Sequence, residues 1–144
     1  MVSETAVRRC RFLNLAKAGV TLDTGNVLNW WFRHCAFGNC TIGIQANFGG
    51  FFVRECFFTG SRDCDLVITQ SCVFAARDNV SIGSRAFLNT RDGAAHWAQI
   101  VVQSNRIDAG HPGGDVPIQF HLCAPILLLG NEIRTNGRPA VVAL

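Results

Sequence analysis

A six-residue pattern recurs along the chain and restricts its fold more than any other feature: an apolar residue, two mostly polar residues, Cys or Asn, any residue, then Phe or Ile. It reads six times, as Val7-Arg8-Arg9-Cys10-Arg11-Phe12, Phe32-Arg33-His34-Cys35-Ala36-Phe37, Val53-Arg54-Glu55-Cys56-Phe57-Phe58, Thr69-Gln70-Ser71-Cys72-Val73-Phe74, Val102-Gln103-Ser104-Asn105-Arg106-Ile107 and Leu128-Leu129-Gly130-Asn131-Glu132-Ile133. Only Thr69 departs from the apolar first position. A small or turn-forming residue and an alternating strand accompany several copies: Gly19-Val20-Thr21-Leu22, Gly43-Ile44-Gln45-Ala46, Asp65-Leu66-Val67-Ile68, Asn79-Val80-Ser81-Ile82 and Pro117-Ile118-Gln119-Phe120. Apolar residues at every second position are strand behaviour.

The Cys/Asn positions lie 25, 21, 16, 33 and 26 residues apart. Repeats of roughly 20–50 residues mark solenoids, so each repeat is read as one coil of three short strands with loops of uneven length. The predicted fold is all-β, a right-handed single-stranded parallel β-helix of about six coils forming one domain over residues 1–144. Stacking at about 4.8 Å per coil sets equivalent residues above one another. The interior column expected is Phe12, Phe37, Phe58, Phe74, Ile107 and Ile133. The 16-residue step from Cys56 to Cys72 is short for three strands and marks the register most open to a slip.

Composition agrees: 49% hydrophobic and 16% charged residues, with 14 Gly, 4 Pro, 11 Phe and no Tyr, favour short strands joined by tight turns. A net charge of +3 and a pI near 8.6 fall short of the basic face expected of a nucleic-acid binder. No apolar run approaches the ~18 residues of a membrane span. Met1 to Arg9 contain no leader-like apolar stretch, and Pro139 to Leu144 are apolar. Solenoids normally close their ends with polar caps. Ends without them are expected to belong to a module of a longer chain and to favour end-to-end self-association.

The motif and its column resemble the pectate-lyase-like superfamily of right-handed parallel β-helices over nearly the whole chain. In that superfamily the fourth motif position is commonly an Asn ladder, which Asn105 and Asn131 match and Cys10, Cys35, Cys56 and Cys72 replace with a small, buryable thiol. The resemblance implies polysaccharide as ligand, with carboxylates, and in the lyases an arginine base, on the outer face after the ladder turn. That face is read as Thr21, Asp23, Gln45, Asn47, Val67, Ser81, Gln119 and His121, and it lacks the paired carboxylates that glycoside hydrolysis uses. The nearest approach is Asp63, Asp65 and Asp78, with Arg62 or Arg77 beside them as acid, base or calcium ligands. As turn residues at strand starts they also need no catalytic explanation. Asn89-Thr90-Arg91-Asp92, Gly110-His111-Pro112 and Arg106-Ile107-Asp108 echo polygalacturonase signatures, each without a defining residue.

Arg8, Arg33 and Arg54 share one motif position, continued by Gln70 and Gln103, and are expected to form an outward stripe on which an anionic polysaccharide could lie. A solvated edge that prevents aggregation is the competing explanation. Of the adjacent Trp30 and Trp31, register assigns Trp30 to the core and Trp31 to the surface. The loops from Gly83 to His96 and Asp108 to Asp115 gather Arg91, Asp92, His96, His111 and Asp115. The seven Cys show no zinc-finger spacing and are expected as buried free thiols. The leading expectation is a non-catalytic module, structural or carbohydrate-associated, whose ligand contacts come from Arg8, Arg33, Arg54, Trp31, His96 and His111, with no cofactor. The alternative is a polysaccharide lyase or glycoside hydrolase built on Asp63, Asp65, Asp78 and Arg77, the one case in which Ca2+ is expected.

Overall fold

The computed structural model describes residues 4–23, 29–47, 49–69, 73–91, 99–109, 111, 113–121 and 125–143. Its regular elements are all strands, laid down in successive passes. The first two passes are β1 (Thr5–Arg8), β2 (Arg11–Leu13), β3 (Ala18–Leu22) and then β4 (Trp30–Arg33), β5 (Ala36–Gly38), β6 (Ile42–Ala46). The next two are β7 (Phe51–Arg54), β8 (Phe57–Thr59), β9 (Cys64–Ile68) and β10 (Phe74–Arg77), β11 (Val80–Ile82), β12 (Leu88–Thr90). The last two are β13 (Ile100–Gln103), β14 (Arg106–Asp108), β15 (Ile118–Phe120) and β16 (Ile126–Leu129), β17 (Glu132–Arg134), β18 (Val141–Ala143). Strands one pass apart pair in parallel. They form sheet A (β1-β4-β7-β10-β13-β16), sheet B (β2-β5-β8-β11-β14-β17) and sheet C (β3-β6-β9-β12-β15-β18), a β-solenoid of about five turns.

The register corrects the fourth repeat. Phe74 pairs with Phe51 and Ile100 in sheet A, and Ala76 and Arg77 align with Val53 and Arg54. The fourth copy of the motif is therefore Ala76-Arg77-Asp78-Asn79-Val80-Ser81, and the Cys/Asn positions become Cys10, Cys35, Cys56, Asn79, Asn105 and Asn131, spaced 25, 21, 23, 26 and 26. Gln70 and Cys72, assigned to the stripe and the ladder from the sequence, lie outside the described residues. The segment Asn79–Ile82 belongs to sheet B; the sheet C strand of this pass is β12.

Ser81 hid this copy, since it stands where the pattern calls for Phe or Ile. The interior column runs Phe12, Phe37, Phe58, Ser81, Ile107 and Ile133. Phe12, Phe37 and Phe58 stack at 4.9 Å between ring centroids. Each ring needs space in sheet C one pass below: a Cβ on Gly19 would lie 2.9 Å from Phe37, and one on Gly43 would lie 2.9 Å from Phe58 and 2.5 Å from the carbonyl of Asp65. In the next pass the arrangement inverts. Asp65 occupies the position corresponding to Gly43, Ser81 replaces the ring above it, and Phe87 supplies the lost aromatic volume from the other side, edge-on to Phe58 at 6.3 Å. Phe74 is also buried, but it packs against Phe51 in sheet A, the rings tilted by 46°, and not on Phe58.

The corner between sheets A and B repeats in every pass. Arg9, His34, Glu55, Asp78 and Ser104 all have φ between 53 and 56°, and Gly130 has φ 62°. Left-handed conformation is uncommon for non-glycine residues. It is stabilised here by N–H bonds to the next pass, such as His34 to the Arg54 carbonyl at 3.2 Å and Glu55 to that of Arg77 at 3.2 Å. The ladder residue follows. The amide oxygens of Asn79, Asn105 and Asn131 accept the N–H groups of Cys56, Asn79 and Asn105 at 2.9–3.0 Å, and Cys56 Sγ accepts that of Cys35 at 3.4 Å. The Cys56 thiol and the three amides thus do one job: they satisfy a buried N–H that the tight corner leaves without a strand partner.

Candidate ligand-binding face

Alternation along the sheet A strands turns two columns outward. One reads Ala6, Trp31, Phe52, Ala75, Val101 and Leu127; the other reads Arg8, Arg33, Arg54, Arg77, Gln103 and Leu129. The expected alignment of Arg8, Arg33 and Arg54 holds, and Arg77 becomes the fourth arginine of the row. Trp31 stacks on Phe52 with centroids 4.2 Å apart and 20° between planes. Arg33 lies over Trp31, its guanidinium carbon 5.0 Å from the ring centroid, a favourable cation–π geometry. Trp30 packs against the core, as the register required.

Three shallow hollows follow this row. Glu4, Thr5, Ala6, Arg8, Trp31 and Arg33 line about 380 Å³. Arg8, Arg9, Arg33 and His34 line about 390 Å³, and a hollow of about 220 Å³ continues from Trp31 and Arg33 past Phe52 and Arg54 to Arg77. Arg33 borders all three. Charge is unevenly balanced along them: Arg54 is 3.5 Å from Glu55 and 3.3 Å from Asp78, and His34 Nε2 is 3.1 Å from Glu55. Arg8, Arg9, Arg33 and Arg77 make no ion pair among the described residues, and Arg33 Nε is shielded from water without a hydrogen-bond partner there. The face can therefore accept anionic groups at the first two passes and apolar rings beside them. Sequence reasoning missed Phe52, Arg9 and His34. Extending the alternation of Trp31 to the next copy would have found Phe52; Arg9 and His34 point at the hollow only because the left-handed corner turns them there.

The acidic candidates do not gather on one accessible surface. Asp63 receives two hydrogen bonds from Arg91, at 2.7 and 2.8 Å. Asp78 sits on the corner beside Arg54. Asp65, expected at an exposed strand start, is 0% exposed inside the solenoid, where Ser81 Oγ donates to its Oδ2. Burial pushes its pKa from 3.8 to about 6, with Ser61, Ser81 and Ser84 restraining the rise. Arg62 donates to Thr41 Oγ1 and to the Leu15 carbonyl. His111 lies on the loop between β14 and β15, away from the arginine row, its carbonyl accepting from Gly114 and Arg138. His96 and Asp92 lie outside the described residues, and Asp115 pairs with Arg85 at 2.9 Å.

On sheet C, Thr21, Gln45, Val67, Asn89 and Gln119 align in one column, but Val67 is 0% exposed within a second apolar cluster with Ile42, Cys64 and Ala86, and Ser81 is not part of that face: it points inward from sheet B. Cys35, Cys40, Cys56 and Cys64 are buried free thiols and Cys10 an exposed one. Burial pushes Cys56 up to about 12 and raises Cys64 well above the ordinary thiol value, so both stay protonated and unreactive at neutral pH. Cys123 lies outside the described residues. Among the described residues no three His, Cys, Asp or Glu side chains converge as a metal site, and no helix is long and apolar enough to cross a membrane. No family model, curated protein or solved structure matches the chain.

Proposed function

We propose that this chain is a non-catalytic module, a right-handed parallel β-helix of six coils that holds an anionic polysaccharide along the outer face of sheet A. Right-handed winding is the hand that parallel crossovers take in nearly all cases. The observation that carries the binding reading is the Trp31–Phe52 stack beside Arg8, Arg33 and Arg77, which lack carboxylate partners among the described residues. Aromatic faces pack against the apolar faces of sugar rings, and guanidinium groups hold carboxylate or sulfate in bidentate fashion. The arginines recur at the strand spacing of about 4.8 Å, so they suit a repeating polymer better than a compact anion. Carbohydrate as the polymer comes from the resemblance to pectate-lyase-like β-helices, a fold-level argument. The non-catalytic reading is supported by the separation of the acidic side chains: Asp65 is sealed in the core, and Asp63 is held by Arg91.

Titration of the chain with polygalacturonate, dextran sulfate and neutral dextran tests this reading. Binding is expected to the two acidic chains and not to dextran, and to weaken with salt. Arg33→Ala and Trp31→Ala should each lower affinity by about tenfold, the loss of one charge-assisted contact or one ring stack. Arg106→Ala, on sheet B, should change nothing. Equal affinity for dextran, indifference to both substitutions, or new reducing or unsaturated ends in the polymer would overturn the reading.

A further inference from the structure

The two end passes of the solenoid match each other column by column. In the middle of sheet A, Val101 and Val102 are 8% and 0% exposed, whereas their equivalents Leu127 and Leu128 in β16 are 48% and 40% exposed. Among the described residues no strand pairs with the outer edge of β16, and an unpaired parallel edge is a template for another strand. We propose that copies of this chain stack end to end, the first pass of one seating on the sixth pass of the next and continuing all three sheets.

The register names the contacts. Phe12 would follow Ile133 in the interior column of sheet B, and Val20 would follow Val141 in that of sheet C, apolar on apolar as in every pass between except at Ser81. Cys10 would follow Asn131 in the ladder, offering its Sγ to the Asn131 N–H as Cys56 offers its own to Cys35. Arg11 would follow Glu132. That column reads Arg11, Ala36, Phe57, Val80, Arg106 and Glu132, so an acidic side chain ends it where a basic one begins it. Glu132 is exposed and held by Arg134 at 2.8 Å, and a stacked copy would place it between Arg106 below and Arg11 above. The ends join different surfaces of two copies, so the contact is heterologous and stacking can continue beyond a dimer. The arginine face of sheet A is not used, and the proposal does not depend on the carbohydrate reading.

Sedimentation velocity at low salt over a hundredfold concentration range tests it. Mass is expected to rise with concentration beyond the dimer. Arg11→Glu alone and Glu132→Arg alone, both exposed positions whose folding is checked by circular dichroism, should each weaken association at least tenfold, because like charges then meet. A one-to-one mixture of the two folded variants should restore association beyond the dimer, since Glu at position 11 then meets Arg at position 132 and the unchanged Arg11 of one variant meets the unchanged Glu132 of the other. A monomer at every concentration, or association that ignores both reversals, would overturn the proposal.

Discussion

Asp65 and Ser81 break the interior pattern together. In the passes before them a phenylalanine ring lies over a glycine; here a hydroxyl lies over a carboxyl group, and Phe87 takes up the aromatic volume from sheet C. A carboxyl group in such a place favours its neutral form, because ionisation there has no water to stabilise it. The folded state binds this proton more tightly than the unfolded chain, pKa about 6 against 3.8. The stability it contributes is therefore complete below pH 3.8 and is lost as pH rises through about 6. The difference is on the order of 3 kcal/mol across the window. Urea unfolding of the native chain and of Asp65→Asn at a series of pH values checks this. The stability gap should move in favour of the Asn variant by that amount between a pH just below 3.8 and slightly alkaline pH, most of it before pH 6, and a gap independent of pH would contradict the buried placement.

At the scale of strands and corners, each pass is fastened to the next by the ladder as much as by the sheets. Asn105 accepts the N–H of Asn79 at 3.0 Å and donates to the carbonyl of Ala76 at 3.0 Å, both in the interior. Replacing it by Ala leaves a buried donor and a buried acceptor without partners, at about 1–3 kcal/mol each. The Asn105→Ala variant should lose roughly 2–6 kcal/mol in equilibrium unfolding, whereas Arg106→Ala, one residue on and facing solvent, should lose little. Equal losses at the two positions would mean that the ladder bonds carry no net stability. The same corners place the binding face, since the left-handed residue after each arginine ends the sheet A strand and leaves the row Arg8, Arg33, Arg54 and Arg77 along one edge.

Over the whole molecule, burial is graded along the axis. The interior residues of the second to fifth passes, from Phe32 to Phe120, are almost fully buried, while Val7, Phe12, Ile126, Ile133 and Val141 are only partly covered. Solenoid passes contact their neighbours alone, so stability adds from pass to pass and frays from the ends. In dilute solution, amides of β7 to β11 should exchange slowest and those of β1 to β3 and β16 to β18 fastest. Uniform protection would indicate all-or-none unfolding. Raising the concentration should slow exchange at the two ends if copies stack as proposed.

The parallel solenoid was legible in the sequence because it follows from local chemistry repeated at a regular interval: an apolar position, a corner, a small polar or thiol residue, an apolar position. Alternation around that motif was also enough to align Arg8, Arg33 and Arg54 and to separate Trp30 from Trp31. The fourth pass was not legible, because Ser81 fits the interior only in the presence of Asp65 and Phe87, which lie on other strands and come together only when the passes stack. The same holds for charge. Which arginines face a carboxylate and which stand free, and whether an aspartate meets water or the core, are decided between passes some two dozen residues apart, and only the folded chain brings those residues within reach of one another.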